Sequence, residues 1–444
     1  MARAAQAGVS PLATIEALQT VRLRVTDYAA FARELGTHTA DFATVGANVV
    51  LASPTPPKDL TRTMAGAVPV GGDLLAAIGM RGDYSTLGSG VVVAVLDGGV
   101  APDPVLGERL RYLDVGYGLA GGGEGGAHAL AVAALVAGNG SEVRGVAPAA
   151  TVLSVRVTGA DGTGDTFAVA KGVVAAVEAG AQVINISLGG YATSSVLGAA
   201  VDQALAAGVA VVAASGNDQA ARMTWPAAYP GVVSVGAVDA AGQQAIFSNA
   251  GEGLQLTAPG YAIWTAGPGG TRVAFSGTSA SAPVAAGAIA ALMSQTPGLG
   301  AIQAADLLAN YANDGGAAGV DPDYGRGSVN LGWALDRANA ARQDPAISAL
   351  NPHLAERYVD VVVQNRGAVP VTGLALAVEM GATNGSYPVP KLAAGASATV
   401  RVPVAAGGAT ESGALRVQAR LEVPAGLTDR DPSNNRRAGV IATK

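Results

Sequence analysis

The sequence predicts an α/β protein: a parallel sheet with helices on both faces, preceded by a small α+β unit and followed by an all-β sandwich. Three observations predict it. Four continuous apolar runs, at 91–96, 152–157, 183–188 and 209–214, alternate with Ala-rich amphipathic stretches at 129–138, 166–179, 193–207 and 279–294. Strands buried on both faces read as unbroken apolar runs, which is the mark of a parallel sheet covered by helices. Ahead of them, short strand and helix patterns stop at Pro54, Pro56 and Pro57. Behind them, after Ser348-Ala-Leu-Asn-Pro352, strand-like runs are separated only by Gly and Pro turns. These breaks divide the chain into 1–66, 67–341 and 350–444.

Taken in order, Val21–Val25 alternates apolar and polar residues, as a half-buried strand does. Asp27 is placed to cap a helix through Leu35 that Gly36 ends. Strands at 37–45 and 48–52 and a short helix at 57–63 complete the first unit. The four apolar runs are the strands of the central sheet, and the Ala-rich stretches are its covering helices. In the last region Tyr358–Val363, Leu374–Val378, Ala398–Val404 and Ala414–Val423 read as strands of a sandwich.

Composition narrows the function. Hydrophobic residues are 50% of the 444 and charged residues 14%, which excludes a disordered chain. Net charge is −6 without a basic cluster, which argues against a nucleic-acid partner. The absence of cysteine removes disulfides, thiolate catalysis and Cys-ligated metals. Apolar runs all fall short of the ~18 residues a membrane span needs. The N-terminal Met1–Gly8 lacks the apolar centre of an export signal.

A catalytic base has few candidates. The histidines are His38, His128 and His353, and only His128 lies in the large domain. It is expected to begin its helix, after the Gly121–Gly126 run, at a sheet edge. Asp97 ends the first apolar strand, where open α/β sheets carry their functional crevice. It is placed to orient a base, bind a ribose or metal, or cap a turn. Ser279 sits in Gly277-Thr-Ser-Ala-Ser-Ala-Pro283, at the start of a buried helix whose N–H groups favour incoming negative charge. Pro283 is expected in that helix's first turn. Asn217 closes Ala214-Ser-Gly-Asn217, past another strand end, as an oxyanion donor or an αL turn residue. Ser187-Leu188-Gly189-Gly190 ends a third strand, and its glycines allow a substrate backbone to approach.

Asp97, His128 and Ser279 therefore occur in one of the known chain orders of a hydrolytic triad. With these motifs the sequence resembles the subtilisin-like serine proteases, or subtilases, over about residues 68–335. Val93-Ala-Val-Leu-Asp97-Gly-Gly is similar to the family's Asp box, and Gly277–Gly287 matches its Ser box throughout. Gly145–Pro148, Ile186–Gly190, Ala214–Asn217, Trp225–Pro230 and Tyr324–Asn330 are similar to further landmarks. Two departures stand out: Gly98 where the family usually has Ser or Thr, and His128-Ala129-Leu130 where it usually has His-Gly-Thr.

The resemblance implies acyl transfer. Ser279 would attack a peptide carbonyl, His128 would carry the proton, and Asp97 would hold the imidazole. Asn217 and the Ser279 N–H would bind the oxyanion. Ser187, Leu188 and Gly189 would pair with the substrate. Ala214, Ser215 and Gly216 would line a specificity pocket whose small walls suit a sizeable apolar side chain. Residues 1–66 resemble a subtilase propeptide in pattern, with cleavage expected between 63 and 68. Residues 352–440 resemble a CARDB-like β-sandwich, a module for a surface or protein partner and dispensable for chemistry.

No cofactor is expected. Calcium stays possible, but Val105 stands about eight residues after Asp97, where the family often has a carboxylate ligand. Asp429, Asp431 and Asn434 are arranged either for calcium or for a hydrogen-bonded turn. The leading reading is a serine endopeptidase made as a zymogen, acting on protein or peptide substrates outside the cell or at its surface. The alternative is a catalytically impaired subtilase scaffold acting as a protein-binding module, favoured by the altered His box. A dinucleotide-binding protein would need Gly-x-Gly-x-x-Gly after the first strand, and Asp97-Gly-Gly-Val does not supply it.

Overall fold

The computed structural model describes residues 9–37, 43–55, 64, 66–119, 121–405 and 414–442. Its centre is a seven-stranded sheet. The strands, with β1–β3 belonging to the N-terminal unit, are β4 (Val92–Asp97), β5 (Leu110–Leu113), β6 (Thr151–Arg156), β8 (Val183–Ile186), β9 (Ala210–Ala214), β10 (Val233–Val238) and β11 (Leu256–Pro259). Their order is β11-β10-β9-β8-β4-β6-β5, and every pairing is parallel. The carboxyl ends of β4, β8 and β9 consequently lie side by side, and these carry Asp97, Ser187–Gly190 and Ser215–Asn217.

The sheet feeds two cores. Val93 and Val95 face one apolar cluster with the helices α2 (Gly123–Ala137) and α5 (Thr278–Gln295). Ala94 and Leu96 face the other, with α3 (Thr166–Glu178) and α4 (Ser195–Ala206). Alternate residues of one strand thus serve opposite layers, which is why the strand is apolar throughout.

The N-terminal unit consists of β1 (Val9–Ile15), β2 (Thr20–Val25), α1 (Tyr28–Thr37) and β3 (Val50–Ala52). β1 pairs antiparallel with β2, with an irregularity between Pro11 and Ala13. The sequence reading missed β1 because a proline sits in it, which edge strands tolerate at bulges. Asp27 caps α1 through Ala30 N–H at 2.9 Å, but the helix runs past Gly36 to Thr37. The strand expected at 48–52 shortens to β3, and 43–49 is not a strand. The rest of the strand expected at 37–45 lies largely outside the described residues, as does the helix expected at 57–63.

Among the described residues β3 does not pair within its own unit. It pairs antiparallel with β7 (Thr163–Asp165) of the large domain. Ile15 and Leu51 insert into the α3/α4 core, and Arg22 pairs with Asp165 at 3.0 Å.

The C-terminal region is a sandwich of two antiparallel sheets, Pro345–His353 with Tyr358–Asn365 and Ser397–Pro403, against Thr383–Pro388, Ala375–Met380, Ala414–Glu422 and Arg436–Ala442. Its first strand begins at Pro345, so the boundary expected at 350 falls inside a strand. The sandwich sits on the large domain through polar contacts: the Gln364 side chain accepts from Asp314 N–H and donates to the Ala312 carbonyl, and Arg437 donates to the Ala241 carbonyl.

Candidate active site

Asp97 is the last residue of β4 and is fully buried. One carboxylate oxygen accepts from Gly98 N–H at 2.7 Å and the other meets His128 Nδ1 at 2.8 Å. With both oxygens engaged, the carboxylate is fixed and holds the ring orientation. His128 Nε2 is buried and has no hydrogen-bond partner among the described residues. The Phe275 ring meets the imidazole edge-on, with 5.4 Å between centroids.

His128 does not begin its helix. The helix starts at Gly123, so residues 123–126 form its first turn and His128 lies in the second. The glycines are there for contact. A methyl on Gly98 would lie 2.3 Å from the Gly125 carbonyl, and one on Gly121 would lie 1.7 Å from the Gly98 oxygen. Gly121 N–H donates to the Gly99 carbonyl at 3.1 Å. The start of α2 is therefore pressed directly onto the Asp97 turn. This explains Gly98: a side chain there has no room. The second departure is equally accommodated, because Ala129 and Leu130 are buried in the α2/α5 core.

Ser279 is the second residue of α5, in the first turn, where backbone N–H groups lack intrahelical acceptors. Pro283 is the sixth residue, not part of the first turn as expected. Having no N–H, it leaves the Ser279 carbonyl without its helical donor. The Ser187 hydroxyl replaces that donor at 3.2 Å, and Asn185 Nδ2 in turn donates to Ser187 Oγ at 3.1 Å. The Ser279 hydroxyl donates back to the Ser187 carbonyl at 3.4 Å. Ser187 was expected only as a substrate-pairing residue; its side chain also fixes the serine.

Asn217 has its amide orientation set from behind. Its Oδ1 accepts from Thr278 N–H and from Thr278 Oγ1, both at 2.9 Å. Nδ2 is left facing the cleft. Gly277 adopts φ 129°, and a methyl there would lie 2.8 Å from Asn217 Nδ2, so only glycine fits. Thr278 was missed as a supporting residue, although it stands within the Ser box.

The cleft holds the chain's own segment 50–54. Ala52 exchanges two hydrogen bonds with Gly189, N–H to carbonyl at 3.1 Å and the reverse at 2.9 Å. Ser53 N–H donates to the Gly162 carbonyl at 3.3 Å, and Leu51 pairs with Gly164. Leu51 is fully buried, and a methyl on Gly190 would lie 3.0 Å from it. At the end of this strand the Pro54 carbonyl accepts from Asn217 Nδ2 at 2.8 Å. Gly162 and Gly164 were not singled out from sequence, and Pro54 was read only as a break in the pattern, since nothing local in them reports a strand added across the cleft. The segment expected to be cleaved begins farther on: Met64 is buried against Ala237, Ala245 and Phe247, and Val68 N–H donates to Asp239 at 2.8 Å.

Between the small walls stands Thr224: a methyl on Gly189 would lie 2.4 Å from its Oγ1 and one on Gly216 3.0 Å from its Cγ2. Both stretches weighed for calcium carry hydrogen bonds within the protein. Val105 N–H bonds Asp103. Asp429 accepts from Asp431 N–H and from Asn435 Nδ2, Asp431 pairs with Arg81 at 2.9 Å, and Asn434 donates to Asp344. These bonds seal the sandwich to the large domain. Among the described residues no helix is long and apolar enough to cross a membrane.

Comparison with known proteins agrees with this geometry. The subtilase family profile matches residues 88–327. The alkaline protease of Shouchella clausii is 38% identical over 270 residues, covering 60% of this chain and 70% of that protein. Subtilisin Savinase of Lederbergia lenta is 39% identical over 245 residues, covering 55% and 90%. Among solved structures, a serine-to-alanine mutant of the protease domain of PatA superposes with a TM-score of 0.52 at 30% identity, covering 57% of this chain and 97% of that one. A parallel sheet presenting Asp, His and Ser boxes in this order, matched over more than half its length, makes the chain a member of the subtilase family and a subtilisin-like serine endopeptidase.

Proposed function

We propose that Ser279 is the nucleophile, His128 its base, Asp97 the group that holds the imidazole, and Asn217 with the Ser279 N–H the oxyanion donors. The observation that carries this reading is the Pro54 carbonyl, 2.8 Å from Asn217 Nδ2 at the end of a strand laid along Gly189. A peptide so bound presents its carbonyl to the first turn of α5. Ser279 Oγ attacks the carbonyl carbon as its proton passes to His128 Nε2, the ring nitrogen without a partner. Asp97 stabilises the imidazolium through Nδ1. The oxyanion is met by an Asn217 amide already oriented by Thr278, so no reorganisation of that donor is needed as charge develops. His128 then protonates the leaving amine, and water repeats the sequence on the acyl-enzyme. Fluorophosphonate labelling of the wild type, lost in Ser279→Ala, tests the assignment. A wild type that resists labelling and leaves casein intact overturns it.

The same contact supports a zymogen, with the N-terminal unit as inhibitor. The bond best supported for self-cleavage is Pro54–Thr55, nine residues or more ahead of the junction expected from sequence, since Met64 and Val68 already pack on the protease body. Sequencing should find Thr55 at the N-terminus of mature wild type and an uncut chain in Ser279→Ala. An N-terminus within 64–68 as the first product overturns this bond.

No cofactor enters the chemistry, because every group the reaction needs is a protein group. The sandwich, resembling CARDB modules, is assigned to a surface or protein partner, as all proposed site residues precede 341. Restraint by its own N-terminal segment suits a peptidase released outside the cell or held at its surface.

A further inference from the structure

We propose that Thr224 sets the specificity of this protease, restricting the residue that donates the attacked carbonyl to small side chains. The inference rests on the reading of the cleft given above and adds its substrate class.

The space beneath the Pro54 position is bounded by two chain segments. Gly189 pairs with Ala52 on one side, and Asn217 touches the Pro54 carbonyl on the other. Glycines in both walls, Gly189 and Gly216, suggest room. The room is taken from below. Thr224 N–H donates to the Ser215 carbonyl at 2.9 Å, and Trp225 exchanges two hydrogen bonds with Gly190. Residues 224–225 are thereby stitched to both walls and form the floor. A methyl on Gly189 would lie 2.4 Å from Thr224 Oγ1, and one on Gly216 would lie 3.0 Å from Thr224 Cγ2. The threonine side chain therefore touches both walls.

It is also held there. Thr224 is 3% exposed, and its hydroxyl donates toward the Ala214 and Ser215 carbonyls at 3.3 and 3.2 Å. A β-branched side chain with its hydroxyl engaged has little rotamer freedom to swing aside. Asn249 closes the remaining side: its Nδ2 would lie 2.2 Å from a methyl on Gly216 and donates to Tyr191 Oη at 2.9 Å. The glycine walls are thus small because threonine and asparagine fill the space against them. A leucine side chain or a phenylalanine ring would need the volume Thr224 occupies. Alanine, serine or proline would not, and the chain's own segment places proline there.

The upstream subsite differs. Leu51, three residues before Pro54, is fully buried in the α3/α4 core. Selection for apolar bulk is moved to that position.

The test uses the mature full-length protein and the p-nitroanilides Leu-Ala-Ala-X, with X as Ala, Pro, Leu or Phe. Wild type should favour Ala over Leu and Phe by at least about tenfold in kcat/KM, the scale on which pocket size discriminates. Thr224→Gly should raise the Phe-to-Ala ratio by about tenfold or more. Thr224→Ala, which keeps the backbone preference and removes Oγ1 and Cγ2, should raise it by less. A wild type that cleaves Phe or Leu as well as Ala overturns the inference and leaves the protease reading standing. So does a ratio unmoved in both variants. A wild type that cleaves none of these substrates or casein overturns the protease reading and this one with it.

Discussion

Pro283 shows how one residue reshapes the surroundings of Ser279. By withholding an N–H it frees the Ser279 carbonyl for Ser187 Oγ, which ties the turn of the proposed nucleophile to the strand end that pairs with segment 50–54. Ser187→Ala leaves that carbonyl and Asn185 Nδ2 without this partner in a buried site, a cost of about 1–3 kcal/mol per orphaned group. The variant should melt several degrees lower and turn over more slowly. An unchanged melting temperature and kcat would refute the positioning role. Asn217→Ala should lower kcat by about 10²–10³ while KM changes little, because the oxyanion exists only near the transition state. That magnitude is itself known from subtilisin. A KM effect with unchanged kcat would reassign Asn217 to ground-state binding.

At the scale of elements, the contact that matters is the first turn of α2 against the turn after β4. Gly98 and Gly125 meet with no space for a side chain. Restoring the family's serine in Gly98→Ser should therefore harm this protein, through overpacking of about 1–3 kcal/mol. The His128–Asp97 pair spans this contact, so kcat should fall with stability. A Gly98→Ser enzyme of wild-type activity and melting temperature would show that the helix yields without cost. The loop after β4 bears on calcium in a similar way. Val105 supplies no oxygen where a hard cation needs several. A chelator should lower the melting temperature by less than about 10 °C; a larger fall would reveal a strong cation site elsewhere.

Across the whole molecule, buried charge joins the sandwich to the protease. Arg342 pairs with Asp336 and Asp344, and burial pushes Arg366 down to about 10. Asp314, 5% exposed at this junction, is raised above the usual carboxylate range, first by burial and also by the charge of Asp321. The folded state therefore holds this proton to higher pH than the unfolded chain does. Between the ordinary carboxylate value and the raised one, stability from this group falls as pH rises. Asp314→Asn keeps the oxygen that accepts from Gly319 N–H and removes the charge. Its melting temperature should gain on wild type as pH rises from 4 to 8. A gap that is constant or shrinks over this range would show that Asp314 carries no such penalty.

The sequence by itself determined the layer order, four central strands, their covering helices and the three residues proposed as the triad. These were legible because unbroken apolar strands and Ala-rich periodic helices are local patterns, and because functional residues of such sheets cluster at strand ends. Edge strands such as Leu110–Leu113 and Leu256–Pro259 were missed, being short and weakly patterned. Tertiary structure alone decided the rest. That 50–54 crosses the cleft depends on pairing with residues over a hundred positions away. That Gly189 and Gly216 enclose little space depends on Thr224 filling it from another loop. A sequence states that a wall residue is small; only packing states whether the space beside it is empty.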